Sequence, residues 1–569
     1  MAEQALWDTE TDFVVVGSGA GGMTGAVAAA ASGLDVLLTE KTDQFGGTTA
    51  LSGGVAWIPN NPSMKRGGID DSEAEALAYL KAVVGPDVPE SKLMSYIRRG
   101  PQMLAFMEQH ADLPFAAALR YSDYYPDAPG AKLGGRSMEP KPISRRRIGK
   151  HAEEQRFPEF LKSGFMRFAI TVKESREVMD MTLKGKFYML RNMLLYFLDL
   201  PSRLQGLPDN RQTLGRALVV RLRRALLRHK IPLWFKAEAR NLVVEGGRVV
   251  GIEIQHEGQI KRVKARRGVL FAAGGMGQNV ELRQQYGQLP TGETFSSDAP
   301  GNVGDAIRMG QEVGAELAFM GSAWWTPSVK FPDGSVLALI SGKAMPGSVF
   351  IDSSGRRFCN EAAPYEDVIK TLWANHRSGV NSVPCHMVFD ARARRDYLMG
   401  PVTPGKVQAD AQLPQEWFAG GFLCKAETLA ELAQQMELDP AQLKASIERH
   451  NTFALKGEDP DFHRGEKAID RYYGDESIKP NPSLAPIVKA PFYALKVYPG
   501  DLGTKGGLKT DEHGCVLNTE GEIIAGLYAC GNCSGAVMGD SYPGAGSTIG
   551  PAMTFGFVAA RHAAGLLQE

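Results

Sequence analysis

A glycine-rich turn between two apolar runs is the first feature of this chain that could do chemistry. Thr11–Val16 (TDFVVV) is an extended apolar run ending in Gly17-Ser18-Gly19-Ala20-Gly21-Gly22. An alanine-rich segment, Met23–Ala31, follows and reads as a helix; a second strand, Leu34–Thr39, is closed by Glu40, 23 residues after Gly17. Strand, GxGxxG, helix, strand and acid is a pattern that binds a dinucleotide. Gly17 permits the tight turn, Gly19 lets the backbone approach a pyrophosphate, and Gly22 lets the helix pack against the strand. The helix N-terminus then faces the phosphates, and Glu40 accepts hydrogen bonds from a ribose diol.

A second loop, Gly46-Gly47-Thr48-Thr49-Ala50-Leu51-Ser52-Gly53-Gly54, sets three hydroxyls between glycine pairs. It suits a backbone running along a pyrophosphate and ring system; the plainer reading is a surface loop. Two later strands also end in glycine: Gly268–Ala273 into Gly274-Gly275, and Ile523–Cys530 into Gly531-Asn532. Three strand ends converging on small residues fit a long ligand over the carboxyl edge of a sheet. Lys41, Ala273, Asp305, Thr548 and Ile549 complete the candidate cofactor contacts. The third strand lies near the C-terminus, so the chain leaves the nucleotide domain and returns to close it.

The elements that must position these residues fit a large globular protein. A length of 569 residues suggests about three units, or one large domain carrying a cap. Hydrophobic residues are 43% and charged residues 22%, enough to build cores. Lys+Arg and Asp+Glu are both 64, which argues against a dedicated nucleic-acid binder. Six cysteines in so long a chain make no disulfide framework and point to a reducing cytosol. The N-terminus has no basic, apolar signal pattern, and no run of 18 apolar residues exists to span a bilayer.

Five motifs, the loop Gly46–Gly54 among them, point to a family. Gly46–Gly54 (GGTTALSGG), Ser122–Gly130 (SDYYPDAPG), Gly355–Tyr365 (GRRFCNEAAPY), Gly500–Gly507 (GDLGTKGG) and Tyr542–Gly556 (YPGAGSTIGPAMTFG) resemble the fumarate reductase and 3-ketosteroid dehydrogenase flavoproteins, most closely the 3-ketosteroid Δ1-dehydrogenases. The resemblance covers nearly the whole chain except about residues 150–210. It implies an α/β fold, α+β overall: a Rossmann-like FAD domain built from both chain ends, 10–320 and 490–569, with an inserted α+β catalytic domain, 321–489. It implies non-covalent FAD, a steroid 3-ketone substrate and an external electron acceptor. Tyr365 is then the general base, and Tyr124 supports it through a hydrogen bond, with adjacent Tyr125 the competing choice. Tyr542 and the Gly546 N–H hold the C3 carbonyl oxygen.

That chemistry needs a polarised carbonyl, a base for the α proton and an acceptor for the β hydride, which a flavin provides. No metal is required, and the ten histidines include no HExxH. Cys530-Gly531-Asn532-Cys533 is read as small-residue packing at a strand end, ahead of a redox pair or a metal site. Trp324, Trp325 and Tyr121 are candidates to line an apolar pocket. Rival readings are a fumarate-reductase-like enzyme, a steroid Δ4-(5α)-dehydrogenase and a non-catalytic flavin protein. The first needs cations to grip a dicarboxylate, and the loop Tyr542–Gly546 carries none.

Residues 150–210 read as an insertion. Within it Met181–Leu204 is expected to be helical, with one narrow polar stripe (Lys184, Tyr188, Arg191, Asn192, Asp199, Arg203) and a wide apolar face that Pro201 ends or kinks. Arg145-Arg146-Arg147 and a run of six arginines plus Lys230 over 211–230 lie nearby. Such a face packs on protein, on a second subunit of a homo-oligomer, or on lipid, where basic neighbours suit anionic headgroups. The corresponding location is the cytoplasm, with the inner membrane face as the lipid alternative.

Overall fold

The computed structural model describes residues 7–157, 169–179, 182–204, 209–289 and 292–567. It divides into two compact units. The first is Met1–Gln288, Ala299–Ser322 and Thr504–Glu569; the second is Leu289–Asp298 and Ala323–Gly503. Relative to the expected boundaries, the second unit takes a short earlier segment and runs on to Gly503. The physical reason is the long strand Phe492–Thr504, which pairs antiparallel with Cys385–Asp390 and Leu423–Ala426 and so belongs to their sheet.

The first unit is a mixed α/β layer structure around an eight-stranded sheet. Strand β1 (Thr9–Val16) is buried over its last four residues because it lies between two parallel neighbours. Helix α1 (Ala20–Ala31) starts at the second glycine of the turn, and β2 (Val36–Thr39) follows. Val16 pairs with Thr39 on one side and with Phe271 on the other; Phe271 pairs in turn with Ala529. The three strands read from the sequence as ending in small residues therefore end side by side. Gly17 has φ +105°, and a methyl on it would lie 2.4 Å from the Ala272 carbonyl oxygen, so only glycine makes this turn.

Helix α1 packs against the C-terminal helix Ile549–Ala563 at a crossing of small residues. A methyl on Gly556 would lie 2.4 Å from the Gly21 carbonyl oxygen. The second unit has a six-stranded sheet in the order Val336–Ala338, Ala323–Lys330, Phe492–Thr504, Cys385–Asp390, Ser348–Ile351, with Leu423–Ala426 also on Phe492–Thr504. The helix Tyr365–Arg377 packs on the strand Ala323–Lys330, where Trp325 meets Trp373 edge-on at 6.2 Å.

The segment read from the sequence as an insertion contains a helical hairpin, Val172–Met179 and Leu183–Leu198, with Thr182 capping the second helix by accepting the Gly185 N–H at 2.9 Å. Met181 lies outside the described residues. Of the expected polar stripe, Asn192 is buried and Arg191 shares Glu174 with Arg211, whereas Lys184 is exposed. The helix ends at Leu198, and Pro201 sits in the first turn of the next short helix, Leu200–Leu204, where its missing N–H costs little.

The arginine run of 211–230 corrects the sequence reading. Helix Leu214–Arg228 is largely buried, with Arg216, Arg221 and Arg223 inside. Arg223 pairs with Glu154 at 3.0 Å, Arg224 with Asp112 at 2.5 Å, and Arg221 donates to the carbonyls of Lys141 and Pro142. Their partners come from far along the chain, so the local lack of acids did not mean a solvated cationic surface. Among the described residues no helix is long and apolar enough to cross a membrane.

The close crossing yields a prediction. Gly556→Val forces its side chain against the Gly21 carbonyl and, through α1, opens the turn at Gly17. Overpacking of this kind costs about 1–3 kcal/mol. The purified variant should melt earlier and retain less flavin; an unchanged melting temperature with full flavin content would show that the crossing is not tight.

Candidate active site

The cofactor end of the first unit is built from β1, α1, β2 and the loop 46–54. Helix α1 has Gly19 as its N-cap and no capping side chain of its own. The Thr49 hydroxyl reaches in, accepting the Ala20 N–H at 3.1 Å. A methyl on Gly19 would meet nothing nearer than that hydroxyl, at 3.7 Å, so the space before the helix is open to a phosphate. These features fit the pyrophosphate of FAD.

Glu40, at the end of β2, is buried. One carboxylate oxygen accepts the Ser18 N–H (3.3 Å) and Ser18 hydroxyl (2.6 Å); the other accepts the Thr42 N–H and hydroxyl, both at 3.0 Å. A ribose diol reaching Glu40 would compete with these donors; the Ser18 hydroxyl oxygen also accepts the Gly46 N–H at 3.1 Å. Lys41 is paired with Asp305 at 2.5 Å. Thr48 accepts the Ala299 N–H and an Asn302 amide N–H, both at 3.0 Å, and a methyl on Gly274 would strike that same Asn302. Ser52 holds the Gly54 N–H at 3.0 Å and its carbonyl takes the Gly215 N–H, tying the loop to the helix Leu214–Arg228. Ala273, Gly531 and Asn532 lie at the adjoining strand ends, and Thr548 and Ile549 open the C-terminal helix. Gly47 begins the short helix Gly47–Leu51 and Gly53 follows it.

Cys530 and Cys533 are buried thiols, and burial pushes both well up from the ordinary range. Cys533 donates to the carbonyls of Phe271 and Cys530 at 3.3 Å each. Packing between strand ends accounts for both. Among the described residues no group of three or more His, Cys, Asp or Glu could hold a metal ion.

The aromatic end of the same unit gathers Tyr121, Tyr124 and Tyr542. The Tyr124 and Tyr542 rings are 5.5 Å apart, and the Tyr121 and Tyr124 hydroxyls are 3.4 Å apart. Tyr124 is buried, whereas Tyr125 is half-buried. The Tyr542 hydroxyl lies 3.4 Å from the Thr548 hydroxyl. Gly546 has φ +100°, and a methyl on it would lie 2.6 Å from the Trp57 nitrogen and the Val55 oxygen, so the loop can turn there only as glycine. Tyr365 is buried at the start of its helix in the second unit. Trp324 and Trp325 are buried on a strand of that unit.

What holds this cluster is a buried charge box that motif reading passed over. Arg136, fully buried, grips Asp71 through two nitrogens at 2.7 and 2.9 Å and Asp123 at 2.8 Å. Its guanidinium lies 5.5 Å from the Trp57 ring and 5.3 Å from the Tyr79 ring. Asp123 also accepts the Trp57 Nε1–H at 2.8 Å and the Lys132 N–H at 2.9 Å. Trp57 donates its backbone N–H to the Gly546 carbonyl at 3.0 Å, and the Tyr79 hydroxyl donates to the Pro543 carbonyl at 2.5 Å. One network therefore fixes the residue before Tyr124 and both ends of the Pro543–Gly546 turn. Asp123 was visible in the motif SDYYPDAPG, but its partners lie 13 and 66 residues away. Burial raises its carboxyl to about 6, although Arg136, the Lys132 N–H and Trp57 favour the ionised form.

Comparison with known proteins gives this geometry a family. The family model described as an FAD binding domain matches residues 12–549. A 3-oxosteroid 1-dehydrogenase of Mycobacterium tuberculosis is 40% identical over 98% of both chains. One of Comamonas testosteroni is 38% identical over 98% of this chain and 96% of its own. A 3-ketosteroid Δ1-dehydrogenase of Sterolibacterium denitrificans, solved with 1,4-androstadiene-3,17-dione, superposes with a TM-score of 0.94 at 42% identity, covering 98% of this chain and all of its own.

The charge box predicts an acid limb. As pH falls through about 6, Asp123 takes a proton and its hold on Arg136 and Trp57 weakens, so flavin reduction by a ketone substrate should slow. Asp123→Asn keeps the shape without the charge; it should slow that reduction about tenfold at pH 8 and abolish the limb near pH 6, with FAD still bound. A variant as fast as the parent, with the limb retained, would show that Asp123 does not set the site.

Proposed function

We propose that this chain, which belongs to the FAD-binding family of 3-oxosteroid 1-dehydrogenases, desaturates 3-ketosteroids between C1 and C2, turning a 3-keto-4-ene into a 3-keto-1,4-diene. The observation that carries the chemistry is the rigid, neutral donor loop Tyr542–Gly546 beside Tyr124, which suits an uncharged ketone oxygen. When bound, without a covalent tether, FAD supplies the acceptor for the C1 hydride. The glycine loops 17–22 and 46–54, with Glu40, Ala273-Gly274, Gly531-Asn532 and the start of the C-terminal helix, hold it.

In this reading the Tyr542 hydroxyl and the Gly546 N–H stabilise the C3 oxygen as enolate character develops. Tyr365 removes the C2 proton. Tyr124, rather than Tyr125, is the supporting tyrosine; its burial against Tyr542 supports that choice. A tyrosine of ordinary acidity costs about 4 kcal/mol to ionise at pH 7, so turnover rises above neutral pH. Tyr365→Phe should abolish flavin reduction with FAD still bound, and Tyr542→Phe should lower it about 10²–10³-fold. If Tyr365→Phe keeps more than a tenth of the activity, another residue is the base.

The same reading places the enzyme in steroid breakdown in the cytoplasm, handing electrons to an external acceptor, and at a membrane surface through its hairpin. Ten large apolar side chains from Leu183 to Leu204 stand exposed, among them Leu183 at 84%, Phe187 at 61% and Leu204 at 88%. A patch of this size on two consecutive helices marks an interaction surface. Exposed Lys184 and Lys186 stand on the same helix and exposed Arg146 pairs with Asp199 at its end, and each apolar side chain buried in lipid contributes about 1.5–3 kcal/mol before association costs. Phe187, Leu190, Leu194 and Phe197 changed together to Ser should stop flotation with anionic liposomes while leaving flavin content intact. Equal flotation of variant and parent, or none of either, would reject the lipid surface.

A further inference from the structure

The second unit buries a lysine that the chemistry above does not use. Lys343, on the short 3-10 turn Gly342–Ala344, is only 2% exposed. Its ammonium donates to the carbonyls of Glu361 (2.7 Å) and Ala363 (2.5 Å), four and two residues before Tyr365. Those carbonyls belong to the turn that passes through Pro364 into the helix Tyr365–Arg377.

The rest of that turn is clamped by the same cluster. Asn360 accepts the N–H groups of Ala362 (2.9 Å) and Ala363 (3.2 Å) and donates to Asp470 at 3.1 Å. The Glu361 carboxylate accepts the Phe350 N–H, two of the three Arg357 guanidinium nitrogens and Arg464, and although burial acts to raise it, the two guanidiniums hold it down at about 2. Arg464, fully buried, reaches back to the carbonyls of Ser348, Met345 and Ala344, beside Lys343. Arg357 also pairs with Asp459 at 2.8 Å, so three cations (Lys343, Arg357, Arg464) face three anions (Glu361, Asp459, Asp470).

We propose that Lys343 is a positioning residue for the base: it pins the Glu361–Ala363 turn and so sets where Tyr365 begins its helix. Burying an ammonium is costly. Burial lowers Lys343 to about 8, while Cys359, Asp470 and Glu361 favour its charged form and Arg464 opposes it. A neutral amine keeps two N–H groups, one for each carbonyl, so the clamp itself is not a pH switch. A smaller apolar side chain would fill this space at less cost if only packing were required.

The proposal rests on Tyr365 as base and has its own readout. Lys343→Met keeps the volume and removes both donors. Misplacing a catalytic group by about 1 Å costs up to about 10²-fold, so the FAD-loaded variant should reduce its flavin 10- to 100-fold more slowly. With ketosteroid deuterated at C2, its isotope effect should rise above the parent's; with deuterium at C1 it should not. Asn360→Ala loosens the same turn without removing a buried charge, and should shift the C2 isotope effect in the same direction even if Lys343→Met is insoluble. Unchanged C2 isotope effects in the soluble variants overturn the role of Lys343. An active Tyr365→Phe enzyme overturns the assignment of the base instead, so the two failures are distinguishable.

Discussion

The arrangement of the first unit's aromatic end depends on one buried guanidinium. Arg136 lies against both the Trp57 and the Tyr79 ring and bridges two carboxylates, Asp71 and Asp123. A charge so placed is stable only with its partners in position; removing one partner of a buried pair typically costs about 3–5 kcal/mol. That requirement locks three separate stretches of chain into one geometry: the strand Ala56–Trp57, the loop before Tyr124, and the turn Pro543–Gly546. The tyrosines proposed to meet the ketone need not be rigid by themselves, because the backbone that carries them is.

The second unit repeats this solution with different residues. Glu361 lies among Arg357, Arg464 and the Phe350 N–H, and the cluster closes over the turn that leads into Tyr365. In both units a charged network fixes a loop whose own residues are small or irregular. Networks of this kind restrict the number of packings a loop can adopt even where their net stabilisation is small. For a reaction that needs a proton and a hydride removed from adjacent carbons, orientation matters more than binding strength.

Some of this was legible in the sequence and some was not, for physical reasons. The turn after β1 was legible because its demands are local: φ at Gly17, open space at Gly19, and a helix that starts at once. The convergence of the strands ending near Gly17, Gly274 and Gly531 followed from the parallel sheet that such a turn implies. Tyr124, Tyr365 and Tyr542 are proposed from motif resemblance, not from pattern. Arg136 could not be found that way, since its partners Asp71 and Asp123 are set by tertiary contact. The arginines of 211–230 were misread for the same reason: Glu154, Glu174 and Asp112 answer them from distant positions. The hairpin's apolar face was read correctly as a face, because helical periodicity is local; what covers it is a property of its surroundings.

The steroid 1,2-desaturation proposed for this chain is a chemistry held rigid by buried charge. It is tested most directly by mixing the oxidised, FAD-loaded protein anaerobically with a 3-keto-4-ene steroid and identifying the product by mass spectrometry and NMR. The account predicts bleaching of the flavin, with one 3-keto-1,4-diene formed per FAD and the new double bond between C1 and C2. A flavin that stays oxidised, or a double bond introduced elsewhere on the ring, would contradict it.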